Sequence, residues 1–312
     1  MRPRRSTKRS TPIDLSAINL RDAHAVAAIF QRGAEANRAA KCRVHSIDRI
    51  EPPGTLIATG DVHDNPAHLQ KLITAAKMDS AEGDPGVNGP HLVLHELIHG
   101  DNLLNGMDFS HRALARVAAL KAAFPERVHV LLANHELSQI AGMGIVKDGV
   151  RVVEVFNDAV DYAFGEDAPI VHDAIKDFVR SMPIALRAVT PRGDILCAHS
   201  VPAAAMMQRF DASILSRDLT ESDYEPRKGS AHLMVWGRQY DAELLEDLVE
   251  RWGVNVFILG HEHVKDGWQI VEPCALVLNS DHERGVYLPI NLADPPKLHD
   301  MPNHVVWFSE IA

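Results

Sequence analysis

Residues 55–65 read Thr-Leu-Ile-Ala-Thr-Gly-Asp-Val-His-Asp-Asn: a short apolar, β-branched run, a glycine, and then Asp61 and His63 two positions apart. On an extended backbone alternate side chains leave the same side, so both can reach one metal ion. The pattern recurs down the chain. Residues 92–98 run into His99-Gly100-Asp101, 128–132 into Ala133-Asn134-His135-Glu136, 195–198 into His199-Ser200, and 254–259 into Gly260-His261-Glu262-His263. Runs of this length, rich in Val, Ile and Leu and separated by helical stretches such as 112–123 and 242–252, predict an α/β fold with strands buried on both faces. Functional groups in such sheets collect just past the carboxyl ends of the strands, where each of these polar clusters lies.

A lone histidine at a strand end is ordinarily structural, and an Asn-His pair can be turn chemistry. Five clusters in order, each closing an apolar run, point instead to one shared site. Its imidazoles, carboxylates and amide oxygen suit divalent Mn, Fe or Zn, and the absence of cysteine among them argues against a closed structural zinc site. Two such ions, about 3.5 to 4 Å apart, can share a hydroxide and clamp a phosphoryl oxygen during hydrolysis. Asp101, with two oxygens, is the expected bridge between them.

The bulk numbers frame this reading. A chain of 312 residues, 46% hydrophobic, can bury a sizeable core. It has no apolar run of ~18 residues, and its basic start leads into Ser and Thr, so neither a membrane span nor a signal peptide is expected and the cytoplasm is the default. Cys42, Cys197 and Cys274 are too few and too scattered for a disulfide scaffold or a zinc ribbon. A net charge of −10 disfavours general nucleic-acid binding, since the basic residues cluster only at 1–9. Residues 1–12 read as a disordered basic arm and 13–312 as one domain. Within it, a helix is expected over 20–40 (Val26, Ile29, Phe30), and a mostly helical insert over about 137–192 (Ile170, Val171, Ala174, Ile175, Phe178, Val179).

At the five clusters the chain resembles the calcineurin-like metallophosphoesterases, whose ordered blocks are written GDxH, GD, GNH(E/D), H and GHxH. Details closer to the phosphoprotein phosphatase branch are Met182-Pro183-Ile184-Ala185 ahead of His199, Trp236-Gly237-Arg238, and the stretch 261–268. The resemblance implies a four-layer fold, a β-sandwich of mixed sheets flanked by helices. It also implies a metal-dependent phosphatase with two divalent ions, acting on a phosphorylated small molecule or a phosphoprotein. By resemblance Asp61 and His63 bind the first ion, Asp101 bridges, and Asn134, His199 and His261 bind the second. His263 matches the second histidine of GHxH, a first-ion ligand in many members. His135 matches the histidine that protonates the leaving oxygen, and Arg238, with Asn134, is expected at the substrate phosphate.

Departures are also present. Aligned on Gly100-Asp101, the phosphatase block GDxxDRG has Leu104 in place of the aspartate that partners the catalytic histidine, and Asn105 in place of the arginine. Ala133 replaces a glycine, His199 is followed by Ser200 and Val201 rather than glycines, and Asp64 stands where glycine is usual. Substrate choice among phosphomonoesters, phosphodiesters and dinucleoside polyphosphates is left open. So is a scaffold with weak catalysis. His95-Glu96-Leu97-Ile98-His99 matches the zinc-peptidase motif HExxH, but Pro90 and Gly100 bound it tightly, and Asn102 and Asn105 occupy the positions that its extended form gives to Gly and His. Residues 95–99 are therefore read as strand leading to Asp101, with Glu96 away from the metal.

Overall fold

The computed structural model describes residues 15–79, 89–147 and 149–311; the expected basic arm at 1–12 lies outside them. The first half of the chain runs α1 (Ala23–Ala39), β1 (Arg43–Val44), β2 (Ile47–Ile50), β3 (Thr55–Thr59), α2 (Pro66–Ala75), β4 (His91–Leu94), α3 (His111–Ala123), β5 (Val128–Val130), α4 (Asn134–Ala141), β6 (Val146–Lys147) and β7 (Val150–Arg151). The second runs α5 (Val152–Phe164), α6 (Ala168–Ser181), β8 (Ala185–Ala188), β9 (Ile195–Ala198), α7 (Ser230–Val235), α8 (Ala242–Trp252), β10 (Val256–Leu259), β11 (Trp268–Val271), β12 (Ala275–Leu278), β13 (Val286–Asn291) and β14 (Val306–Trp307). Local chemistry sets several boundaries. Asp22 accepts from Ala25 N at 2.9 Å to start α1, and Asn65 caps α2 ahead of Pro66. Asp241 caps α8, and Gly253 in the left-handed region ends it.

The strands form two mixed sheets, ordered β1-β2-β8-β9-β10-β12-β11 and β14-β13-β3-β4-β5, with β6-β7 as a separate hairpin. Side-chain parity shows how they stack. Leu56 and Ala58 of β3, Val93 of β4, Ile195 and Cys197 of β9, Ile258 of β10, and Leu276 and Leu278 of β12 share one buried cluster between the sheets. Their neighbours Ile57, Leu92, Leu94, Leu196, Phe257, Leu259 and Val277 join a second cluster with the helices. Both faces of these strands are buried, which is why they read as unbroken apolar runs. The result is the αββα sandwich expected, with helices outside two mixed sheets. On one outer layer α1 meets α6 through Phe30 and Phe178, whose ring centroids are 5.7 Å apart.

The parallel strands β3, β4 and β5 of one sheet and β9, β10 and β12 of the other end on the same side of the molecule. Asp61 joins them, with parallel bridges to His95 past β4 and to Asn279 past β12. Gly60 permits this contact, because a Cβ there would lie 2.0 Å from Leu278 O.

Several expectations need adjustment. β4 ends at Leu94, not at 98, because Glu96 and His99 adopt positive φ (50° and 60°) and turn the backbone. The loop 95–99 pairs instead with the loop after β3: Val62 N and His63 N donate to Glu96 O, and Asp64 N donates to Leu97 O. β5 stops at Val130, and β10 starts at Val256. The 137–192 stretch carries α5 and α6 as expected, together with the hairpin β6-β7 and strand β8. Of its apolar residues Ile170 is 38% exposed, while Val171, Ala174, Ile175, Phe178 and Val179 are buried.

Candidate metal centre

Asp61 and His63 follow β3, and Glu96 follows β4; Asn134 and His135 open α4 after β5. His199 follows β9, and His261 follows β10. Glu96, 3% exposed, sits at the centre. Its Oε1 lies 2.8 Å from His63 Nε2 and 3.8 Å from His135 Nε2, and its Oε2 lies 2.9 Å from His199 Nε2. His199 Nε2 is also 2.6 Å from Asn134 Oδ1 and 3.0 Å from His261 Nδ1. Asp61 Oδ1 accepts from His261 N at 2.9 Å and lies 3.4 Å from His199 Nδ1. Gly260 makes room for this, since a Cβ would come within 2.5 Å of Asp61 Oδ1 and 2.4 Å of the His95 ring.

The ring orientations are set from behind. His63 Nδ1 donates to Ile98 O at 3.2 Å and leaves Nε2 facing Glu96. His95 Nε2 donates to Thr59 O at 3.0 Å, so its Nδ1 accepts from His199 Nδ1 at 3.2 Å. His199 therefore turns Nε2 toward Asn134, Glu96 and His261. Such bonds to the far ring nitrogen hold a metal-ligating imidazole in place.

Charge in the cluster is unbalanced in a telling way. Burial lowers the His63 imidazole, but the adjacent Glu96 carboxylate outweighs it and pushes it up to about 9. Burial also opposes a charge on His199, yet Glu96 and Asp61 raise it to about 10. Burial pushes Glu96 itself up, but His135, His199 and His63 hold it well below the usual carboxylate range. Two buried carboxylates thus draw protons onto imidazoles that would otherwise be neutral, at positions where cations can replace those protons. Two ligand groups, His63/Glu96/His135 and Glu96/His199/His261, have all their donor atoms within 4.8 Å of one another and share Glu96, and a third, Asp61/His95/His199, shares His199 with the second. The donor set fits a dinuclear centre.

Asp101, expected as the bridge, lines the same cavity but lies outside these groups. Its side chain is 77% exposed and pairs with Lys147 Nζ at 2.8 Å. Leu104 is 56% exposed in a bridge with Met107; the group beside His135 is His99, Nδ1 to Nδ1 at 3.2 Å. Arg238 and His263 stand exposed on the wall of the cavity over the centre, outside both ligand groups. Residues 95–99 form no helix, so the two histidines of the HExxH match cannot meet one ion from a single helical face; His95 backs His199, and His99 backs His135.

Sequence reasoning missed Glu96 by extending β4 to 98. It also missed β12, whose apolar run ends in Asn279-Ser280-Asp281, a sixth cluster of the same kind. Asn279 and Asp281 line the cavity, and Asp281 Oδ2 lies 4.0 Å from His63 Nε2. The cavity holds about 450 Å³, with Ile145, Val146, Lys147 and Trp236 completing its rim.

No curated protein matches the chain by sequence. Among solved structures it is similar to a protein serine/threonine phosphatase from Saccharomyces cerevisiae, with 15% identity, 86% of this chain and 82% of that one covered, and a TM-score of 0.61. It is likewise similar to a cold-active protein-tyrosine phosphatase from a psychrophilic Shewanella, with 15% identity, 82% and 79% covered, and a TM-score of 0.57. At this identity the likeness speaks to the fold. The calcineurin-like phosphoesterase family profile matches residues 54–265, a span that holds Asp61, His63, Glu96, Asn134, His135, His199 and His261. A match over more than half of the chain makes it a member of the calcineurin-like phosphoesterases, metal-dependent hydrolases of phosphoester bonds.

Proposed function

We propose that the chain is a phosphatase that takes phosphomonoesters and works with two divalent ions of the Mn, Fe or Zn kind. The observation that carries this reading is the sharing of Glu96 between two ligand groups. Asp61, His63 and Glu96 would hold one ion, and Glu96, Asn134, His199 and His261 the other, with Glu96 in the place first expected of Asp101. Its two oxygens already face different imidazoles, His63 and His199. Bound there, the ions supply Lewis acidity that neutralises phosphoryl oxygens and lowers the pKa of an attacking water.

The remaining steps belong to the chain's own side chains. Arg238 on the cavity wall offers a further positive charge to the substrate phosphate, which suits a dianionic monoester better than a singly charged diester. His135 Nε2 faces the cluster and delivers a proton to the leaving oxygen. The half-buried Trp236 with Ile145 and Val146 gives the leaving group an apolar wall.

Protein reconstituted with Mn²⁺ should hydrolyse p-nitrophenyl phosphate, lose turnover to a chelator and regain it on re-addition of metal. A panel adding phosphopeptides, bis-aryl phosphodiesters and dinucleoside polyphosphates should rank monoesters first; faster diester turnover would move the reading to a phosphodiesterase. Glu96→Gln should lower both metal content and rate, the latter about 10²-fold or more. Two retained ions in Glu96→Gln would remove Glu96 from the shared position.

A further inference from the structure

The loops that follow β9 and α7 are tied together over Gly237. Ser200, wholly buried, donates its hydroxyl to Gly237 O at 2.6 Å. Tyr240 OH donates in turn to Ser200 Oγ at 2.9 Å, and has Gly237 O at 3.3 Å as its alternative acceptor. Val201 closes on the same peptide: a Cβ on Gly237 would overlap Val201 O and come within 2.9 Å of Ala203 N. From the other side Gln239, held at a φ of 61°, donates its N–H to Glu262 Oε1 at 3.2 Å. Trp236 lays its ring over His232, centroids 5.8 Å apart, and stands edge-on to His261 at 6.2 Å. The residue pinned between Gly237 and Gln239 is Arg238, whose own side chain stands exposed on the cavity wall.

We infer that Ser200 and Tyr240 are positioning residues that set where Arg238 meets the substrate phosphate. This rests on the reading of Arg238 as a group at that phosphate. An exposed arginine keeps many rotamers, so its backbone is the part that the fold can fix. Fixing it matters because a guanidinium fork makes its two parallel bonds to phosphate oxygens only from a narrow range of directions. Both hydroxyls are buried and neither lines the cavity, so they act through the Gly237 peptide on the residue after it. Ser200 and Val201 stand where the resemblance to the phosphatases expects glycines, and a glycine has no hydroxyl to give; in this chain the departure supplies the tie. The two hydroxyls also cover for each other. With Ser200 cut back to alanine, Tyr240 OH still reaches Gly237 O, so both must go before the buried carbonyl loses its side-chain donors.

Ser200→Ala/Tyr240→Phe should raise both KM for p-nitrophenyl phosphate and the inhibition constant of inorganic phosphate about 10-fold, with full metal content and a smaller change in kcat. Gly237→Ala, which pushes the loop off Val201 without touching either hydroxyl, should do the same. A double-mutant cycle separates the aiming of Arg238 from general support of the fold. Added to Arg238→Ala, the pair of substitutions should raise the phosphate constant by less than about 2-fold further, since the group they aim is gone. In the metal-free protein, backbone hydrogen exchange over 236–240 should quicken in Ser200→Ala/Tyr240→Phe while β9 and α8 keep their protection. Wild-type phosphate affinity in Arg238→Ala would take the arginine away from the phosphate, and the inference with it. A weakened affinity in Arg238→Ala beside wild-type constants in Ser200→Ala/Tyr240→Phe, or beside the same penalty in both backgrounds, would overturn the positioning role alone. Loss of metal from Ser200→Ala/Tyr240→Phe would do so too, because the pair would then be supports of His199.

Discussion

Asp101→Asn and Glu96→Gln divide the two candidate bridges at the level of single atoms. Asp101 is exposed and bound to Lys147, so its amide variant should keep the full metal content found in the wild type by elemental analysis. Glu96→Gln should lose at least one of two ions. A reversed outcome would restore Asp101 to the bridge. The confusion between them has a simple origin. Gly100-Asp101 has the spelling of the expected block, while His95-Glu96 does not, and only the length of β4 decides between them. A strand run on to 98 would bury Glu96 in a ladder; the turn at Glu96 puts the carboxylate among three histidines instead. Asp61, Asn134, His199 and His261 were legible because each sits one to three residues past the last apolar residue of its run, and His63 because it stands two positions beyond Asp61. His263, two positions beyond His261, reaches only the cavity wall.

At the level of elements, buried strands announced themselves, and short edge strands did not. β3, β9 and β10 are apolar on both faces, whereas β1, β7 and β14 have two residues each, too few to carry a period. Helix α1 was visible from its spacing, but Gly33 within it had no reading from sequence. The structure supplies one: a Cβ at Gly33 would stand 2.9 Å from the Phe178 ring of α6 and 3.0 Å from Ala118 O of α3. Close approach of three helices depends on that missing side chain. In a solvent-facing helix, Gly→Ala would stabilise by about 1 kcal/mol. Here Gly33→Ala should instead destabilise by about 1 to 3 kcal/mol through overpacking, measured as a lower urea midpoint with unchanged slope. A gain in stability would mean that α1 can move away from α3 and α6 at no cost.

Over the whole molecule, acid sensitivity should begin well above the carboxylate range. His111 is fully buried among the rings of Phe109, Phe156 and Phe164, and neither ring nitrogen has a hydrogen-bond partner among the described residues. Burial, helped by Arg112 and His172, drops it to about 3; burial with the charges of His129 and Arg127 does the same to His91. A histidine depressed in the folded state takes up its proton on unfolding, so its contribution is complete above pH 6.5 and shrinks as the pH falls below it. Each should cost about 1.4 kcal/mol per pH unit in that window. Urea titrations from pH 6.5 down to about 4.5 should show His111→Leu with a shallower loss than the wild type by roughly that slope. Parallel curves would show that His111 is protonated inside the fold.

The bridge from Asp61 to both His95 and Asn279 also sets an order in time. Asp61, His63, Glu96 and Asn134 emerge from the ribosome long before His199 and His261, and β12, which closes against Gly60, follows later still. A nascent chain therefore carries half a ligand set whose carboxylates remain in water, with no second sheet to dehydrate them. Tight metal capture waits for β12, and ribosome-stalled chains that end before it should exchange their metal freely with a chelator while chains that include it hold their metal.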